Sequence, residues 1–148
     1  MTSLPRFTHI LELCLYARSL PTSVAWYKDV LRLTPHLDTP RVAAFTLGDT
    51  ATLLLFQRGE TSADVSLGDA GLIPGHGLPP SSDVTLKTHF ALAVETPEEV
   101  AAWRDELERK GTKILGEVSW PKGGKSVYFA DPDEHVGEIA SRGIWPNY

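Results

Sequence analysis

Glu12, His89 and Glu138 each lie within a short run of alternating apolar residues, and Tyr128 lies in another. A charged side chain on a buried strand face is costly unless it is paired, hydrogen-bonded or bound to a metal. Carboxylates and imidazoles are also the groups that hold divalent metals and transfer protons. The sequence therefore predicts a small polar site on an otherwise apolar sheet face.

Strand periodicity places these side chains together on one side of the predicted sheet. Successive residues of a strand point to opposite faces, and in each of these strands the apolar neighbours face a helix. The opposite face carries Glu12, His89, Tyr128 and Glu138. Cys14 shares that face, but no base stands next to it in sequence, so it is not predicted to be a nucleophile.

The elements that position these residues occur twice. A shift of the chain that carries Trp26 onto Trp103 also carries Glu12 onto His89. In each copy an alternating strand is followed by residues at helical spacing, so both tryptophans are predicted to face the core. Such internal similarity is typical of a duplicated unit.

Capping signals and turns define the rest of each copy. Thr96, Pro97 and Glu99 predict the start of the second helix, and Gly111 predicts its end. The first helix is expected to start at Ser19 and Pro21 and to end at Thr34-Pro35. The predicted strands that follow the helices span about 34–39, 41–48 and 51–57 in one copy, and about 112–118, 125–130 and 135–140 in the other.

These patterns predict an α+β fold of two βαβββ modules that form a curved mixed sheet around a cavity. Module one spans about 6–59 and module two about 86–143, and the tail is 144–148. Residues 60–85 are rich in Gly, Pro, Ser and Asp, which is typical of a linker or a loop that covers a cavity.

Composition restricts the class of protein. The chain has 148 residues and a net charge of −5, and its Lys and Arg residues are scattered, so a general nucleic-acid binder is not expected. No apolar run is long enough to span a bilayer, and no signal segment follows Met1. With a single cysteine, the expected location is the cytoplasm.

The motifs resemble the vicinal oxygen chelate superfamily, which includes glyoxalase I, extradiol dioxygenases, and fosfomycin and bleomycin resistance proteins. The similarity is greatest to a bacterial branch with a Trp-Pro-x-Gly-Gly-x-Ser-x-Tyr-Phe stretch and a Trp-Pro-Asn-Tyr tail. The segments that carry it are 12–16, 25–31, 89–92, 120–138 and 145–148.

The resemblance implies metal ligands at the positions of Glu12, Leu54, His89 and Glu138. Leu54 cannot bind a metal, so a three-ligand site of Glu12, His89 and Glu138 is expected. This donor set suits divalent Fe, Mn, Ni or Zn. Bound to two substrate oxygens, the metal would act as a Lewis acid. Glu12 has an alternative role as a general base without a metal.

Further roles follow from the same positions. Glu12, Glu138 and Tyr128 are the candidate catalytic residues. The candidate substrate contacts are Tyr128, Ser126, Lys125 and Phe56. Lys122 and Lys125 flank a Gly-Gly pair and have two alternatives, a clamp for a substrate anion or a solvated loop.

Two functions remain open from the sequence. One is a metal-dependent enzyme of glyoxalase, lyase-isomerase or ring-cleaving dioxygenase type, acting on a small oxygen-chelating substrate. The other is a non-catalytic protein that binds a small molecule or an antibiotic. The family commonly pairs two chains, sometimes with ligands from both, so a homodimer is expected. His76 is expected to be a mobile surface histidine, and His135 to be structural or exposed.

Overall fold

The computed structural model describes residues 4–148. The first module contains one helix and four strands, in the predicted βαβββ order. Its elements are β1 (Glu12–Ala17), α1 (Leu20–Asp29), β2 (Pro35–Asp38), β3 (Val42–Leu47) and β4 (Ala51–Gln57).

The second module repeats this order. Its elements are β7 (His89–Ala93), α2 (Pro97–Arg109), β8 (Ile114–Ser119), β9 (Lys125–Ala130) and β10 (Val136–Ala140). The linker between the modules carries a small hairpin with a 3₁₀ turn at its tip. Its elements are β5 (Val65–Ser66), the turn Gly68–Ala70, and β6 (Leu72–Ile73). The predicted fold class, an α+β protein of two βαβββ modules, is confirmed.

Each module forms its own four-stranded sheet, with the orders β1-β4-β3-β2 and β7-β10-β9-β8. The first and last strands of a module pair in parallel, and the other pairs are antiparallel. Both sheets are therefore mixed, as predicted. Among residues 4–148, β1 and β7 each have a strand neighbour on one side only, so each lies at a sheet edge.

The helix starts follow the sequence signals closely. At α2 the Thr96 side chain accepts from the backbone N–H of Glu99, and the Glu99 carboxylate accepts from the backbone N–H of Thr96, which is the predicted capping box. At α1 the Ser19 side chain caps no backbone N–H; Gln57 of β4 instead accepts from the N–H of Leu20 at 2.9 Å. A tertiary contact therefore fixes the start of α1.

The end of α1 differs from the prediction. The helix stops at Asp29, and Arg32 adopts a left-handed conformation with φ of 56° before the chain reaches Pro35. A left-handed residue ends a helix because it turns the backbone away from the helix axis. The Thr34-Pro35 signal marks the start of β2 instead.

One apolar core joins the two modules. Tyr27 of α1 is fully buried, and its neighbour Trp26 stacks on Phe129 of β9 at 5.9 Å between ring centroids. Leu15 and Ile139, from the first and last strands of the chain, belong to the same cluster. The helix-facing residues of both sheets are therefore used to hold the modules together.

A buried polar network crosses the same interface. The Asp131 carboxylate accepts from the Tyr27 hydroxyl at 2.9 Å and from the backbone N–H groups of Asp133 and His135. Asp133 accepts from the Ser23 hydroxyl at 2.7 Å. Burial, followed by the negative charge of Asp131, raises the pKa of Tyr27 well above its usual value, so this hydroxyl stays a donor.

His135 bridges the modules at the open edge of β1. Its Nδ1 accepts from the backbone N–H of Thr88 at 3.1 Å, which leaves the proton on Nε2 to be donated to the carbonyl of Tyr16 at 3.1 Å. The side chain is 2% exposed. Of the two roles expected for His135, structural and exposed, the structural one is observed.

No helix within residues 4–148 is both long enough and apolar enough to cross a membrane.

We expect Asp131→Ala to destabilise the protein strongly. The change removes the acceptor for one hydroxyl and two backbone N–H groups, all buried, and should lower the free energy of unfolding by about 2–4 kcal/mol. Urea unfolding followed by circular dichroism measures it. Asp105→Ala, which removes a carboxylate 77% exposed, is the control and should change the free energy by less than about 0.5 kcal/mol. Equal effects of the two changes would contradict the structural role of Asp131.

Candidate functional site

His89 and Glu138 meet on neighbouring parallel strands of the second module. His89 opens β7 and is paired in register with Val136, so Glu138 lies two residues further along β10. The Nε2 atom of His89 is 3.2 Å from Oε2 of Glu138. The parallel pairing of the first and last strands thus unites two residues that are far apart in sequence.

The imidazole of His89 is oriented by its other nitrogen. Its Nδ1 lies 3.1 Å from the carbonyl oxygen of Val136, which can only accept, so Nδ1 carries a proton. The Nε2 lone pair is then available whenever the ring is neutral. A histidine that ligates a metal commonly makes this kind of backbone hydrogen bond through its second nitrogen.

The two side chains differ in exposure. The His89 side chain is 53% exposed, whereas that of Glu138 is 9% exposed. A separation of 3.2 Å is also what two ligands of one tetrahedral zinc would show, given metal–ligand bonds of about 2.0–2.2 Å. The pair therefore fits two ligands of one divalent metal that is open to solvent on one side.

Tyr128 adds a hydrogen-bond donor beside this pair. It lies opposite Glu138 in the β9–β10 register, and its ring centroid is 5.9 Å from that of His89. Burial, then the charge of Glu138 and a hydrogen bond to it, raise the pKa of Tyr128. The phenol is therefore protonated at neutral pH.

The two other predicted contacts on β9 both border a small cavity beside Arg104 of α2. Ser126 is 2% exposed and accepts from the indole N–H of Trp120 at 2.8 Å. Lys125 is exposed. Strand alternation puts Lys125 on the face opposite to Tyr128. Neither residue joins the His89–Glu138 pair.

Glu12 does not reach this pair within the chain. It is exposed at the start of β1, and within residues 4–148 no three His, Cys, Asp or Glu side chains lie close enough together to hold a metal. Burial, followed by the charge of Glu12, raises the pKa of the nearby Cys14 thiol, which therefore stays protonated. Of the three predicted ligands, His89 and Glu138 thus lie together in module two, and Glu12 lies apart on module one.

The face of the first sheet that carries Glu12 also carries an aromatic cluster, which the sequence did not predict. Phe56 of β4 stacks on Tyr16 of β1, and the Tyr16 hydroxyl lies 2.6 Å from Nδ1 of His76. His76 was expected to be mobile, but it is held by Tyr16 and by backbone hydrogen bonds to Thr61. A Cβ at Gly77 would meet the Tyr16 ring at 2.5 Å, so the glycine beside His76 signals close packing.

A larger apolar cavity of about 420 Å³ lies between the modules, but no titratable side chain lines it. Its walls include Leu31, Leu47, Leu92 and Trp103. His89, Tyr128 and Glu138 do not line this cavity.

Gly137 has a specific role in placing Glu138. A Cβ at Gly137 would lie 2.2–2.7 Å from three atoms of the Phe129 ring, which packs directly on this part of β10. The missing side chain lets the fully buried Phe129 lie against the strand beside Glu138. The core thus supports the strand at the position of Glu138.

Comparison with known proteins shows one family. Residues 6–139 match the sequence model of the Glyoxalase/Bleomycin resistance protein/Dioxygenase superfamily. Metallothiol transferase FosB from Staphylococcus epidermidis is 27% identical over 135 residues, which are 89% of this chain and 80% of FosB.

Solved structures agree with this match. The structure of lactoylglutathione lyase from Agrobacterium tumefaciens has a TM-score of 0.82 and 28% identity, covering 96% of this chain and 99% of that one. A glyoxalase/bleomycin resistance protein/dioxygenase from Nocardioides has a TM-score of 0.68 at 22% identity, covering 97% and 90%. The second likeness shows the fold alone.

We expect Gly137→Ala to disturb the core beneath the site. The added methyl group must displace the Phe129 ring, so the free energy of unfolding should fall by about 1–3 kcal/mol. Gly116→Ala in β8 is the matched control, because a Cβ there meets no atom within 4 Å. Chemical unfolding of both variants is the measurement. A Gly137→Ala variant as stable as Gly116→Ala would show that Phe129 does not require the space.

Proposed function

Because this chain belongs to the Glyoxalase/Bleomycin resistance protein/Dioxygenase superfamily, we propose that it is a divalent-metal enzyme acting on a small oxygen-chelating molecule. The observation that carries this proposal is the His89–Glu138 pair. The imidazole is oriented by Val136, and its free nitrogen lies 3.2 Å from the carboxylate. An imidazole and a carboxylate suit Fe, Mn, Ni or Zn in the divalent state.

Glu12 is proposed to complete this site from a second copy of the chain. Its carboxylate is exposed at an open sheet edge, and Ile10 and Leu11 beside it are 82% and 60% exposed. Exposed apolar side chains next to an unpaired strand favour association. The strand that carries His89 is also an open edge. In a two-fold symmetric dimer, the same contact would form two such sites.

The roles of the protein groups follow from their chemistry. The metal, when bound, would supply Lewis acidity toward substrate oxygens. The protonated Tyr128 can donate a hydrogen bond to a substrate oxygen that gains negative charge. If no metal is bound, Glu12 would instead act as a general base that accepts a proton from the substrate. Phe56, in the module that carries Glu12, would contribute an apolar wall.

The names of the relatives leave the reaction type open. FosB is named a metallothiol transferase, and the relative from Agrobacterium tumefaciens is named a lyase. Both kinds of chemistry suit a metal that holds and polarises a small molecule. The substrate class proposed here is therefore a small molecule with two neighbouring oxygen atoms.

A non-catalytic small-molecule binder is the second candidate. It is favoured by one observation, that Glu12 lies apart from His89 and Glu138 within one chain. On that account His89 and Glu138 form an ion pair lining a binding groove. Metal content distinguishes the two functions.

We expect protein purified without chelators to contain about one transition metal per chain, measured by plasma mass spectrometry. His89→Ala and Glu138→Ala should lose it, and Glu12→Ala should bind it about 10–100-fold more weakly. His36→Ala is the control, because His36 is exposed and its ring is hydrogen-bonded to Thr46. Wild-type protein that holds no metal and shows no affinity on titration would favour the non-catalytic binder.

A further inference from the structure

A polar cavity, separate from the two cavities described above, lies where the parallel strands β1 and β4 end and the linker passes over them. Its volume is about 250 Å³. Its walls are formed by Arg18, Gln57, Arg58, Pro80, Ser82 and Asp83. It is separate from the His89–Glu138 pair, none of whose residues lines it.

The sheet register sets two arginines side by side in this cavity. Ala17 and Gln57 are the last paired residues of β1 and β4, and the N–H of Arg58 donates to the carbonyl of Ala17 at 2.9 Å. Arg18 and Arg58 therefore leave the two strands as direct neighbours. Like charges on neighbouring strands are destabilising unless an opposite charge compensates them.

Neither guanidinium forms an ion pair with a carboxylate in the part of the chain that the structure describes. Arg18 donates to the Thr85 hydroxyl, and Arg58 donates to the carbonyl of Ser82 at 2.8 Å. Four other arginines are ion-paired, whereas Arg41 donates to the carbonyl of Glu60; the four are Arg32, Arg104, Arg109 and Arg142. Each guanidinium has five N–H donors, so both keep most of them for a ligand.

The surrounding wall is already fixed in place. The Gln57 side chain is used within the protein, because it accepts from Leu20 and donates to the carbonyl of Arg18. A Cβ at Gly59 would lie 2.7 Å from Pro80, so the linker packs directly against the end of β4. The cavity therefore needs little rearrangement to receive a ligand, which favours binding.

We propose that this cavity binds a small oxyanion, a phosphate or carboxylate group, between Arg18 and Arg58. Arginine forks match the oxygens of both groups. The volume is smaller than that of most pockets for drug-sized ligands, so the occupant is a small anion or the anionic end of a larger molecule. Asp83, the carboxylate in the wall, limits the affinity by repulsion.

Calorimetric titration with inorganic phosphate at constant ionic strength tests the site. Wild-type protein should bind about one phosphate per chain in a saturable way. Arg18→Gln and Arg58→Gln should each weaken binding about tenfold or more, because a charge-assisted pair is lost. Asp83→Asn should strengthen binding, an effect that a misfolded variant would not produce.

Two controls locate the binding. Arg41→Gln should leave phosphate affinity unchanged, because Arg41 donates to the carbonyl of Glu60 outside this cavity. His89→Ala should also leave it unchanged, which separates this site from the proposed metal centre. A parallel titration with acetate shows whether the site accepts carboxylates as well as phosphate. Absence of saturable binding by both anions, or equal losses in Arg41→Gln and Arg58→Gln, would overturn the proposal.

Discussion

The parallel pairing of β7 with β10 is the constraint on which the candidate site depends. Parallel strands require a long connection, and here the whole of α2, β8 and β9 lies between them. That connection brings His89 beside Glu138 and places Tyr128 on the next strand. The same pairing in module one, β1 with β4, sets Arg18 beside Arg58. The parallel pairing of first and last strands, which occurs in both modules, thus places two different clusters of charged side chains.

The two modules pack through the helix-facing sides of their sheets, and their first strands lie at sheet edges. The helix-facing residues form one core with Tyr27 near its centre, and the Asp131 network closes the interface. The strand order leaves the first strand of each module, β1 and β7, at a sheet edge. Edges of this kind are usually covered or paired in stable proteins. On the proposed account, a second copy covers them and brings Glu12 to His89.

Much of the fold was predictable because its signals are local. Alternation, the Thr96–Glu99 capping box and the duplicated pattern predicted the order of elements and the fold class, which the structure confirms. The early end of α1 was not predictable, because it depends on the conformation of Arg32. The meeting of His89 and Glu138 followed from position, but the separation of Glu12 did not. Periodicity assigns a residue to a face and says nothing about how two sheets are arranged.

His76 is a second residue whose position the sequence pattern did not predict. Its setting between glycines, in a Gly- and Pro-rich segment, resembles a flexible loop. Gly77 instead allows the backbone to approach the Tyr16 ring. The Thr61 hydroxyl donates to the carbonyl of His76, and the N–H of His76 donates to the carbonyl of Thr61. Long-range packing of this kind leaves no periodic signal. The neighbouring arginines at the ends of β1 and β4 were missed for the same reason, since only the strand register unites them.

In the proposed dimer, the metal site takes Glu12 from one chain and His89 with Glu138 from the other. Mixed dimers of differently tagged Glu12→Ala and His89→Ala chains test this sharing by metal content. They should hold about one intact site per mixed dimer, although each variant alone has none at full affinity. Mixed dimers of wild type with the double variant should have no intact site. Metal in the second mixture but not in the first would show that each chain supplies its own Glu12, and the shared site would then be wrong.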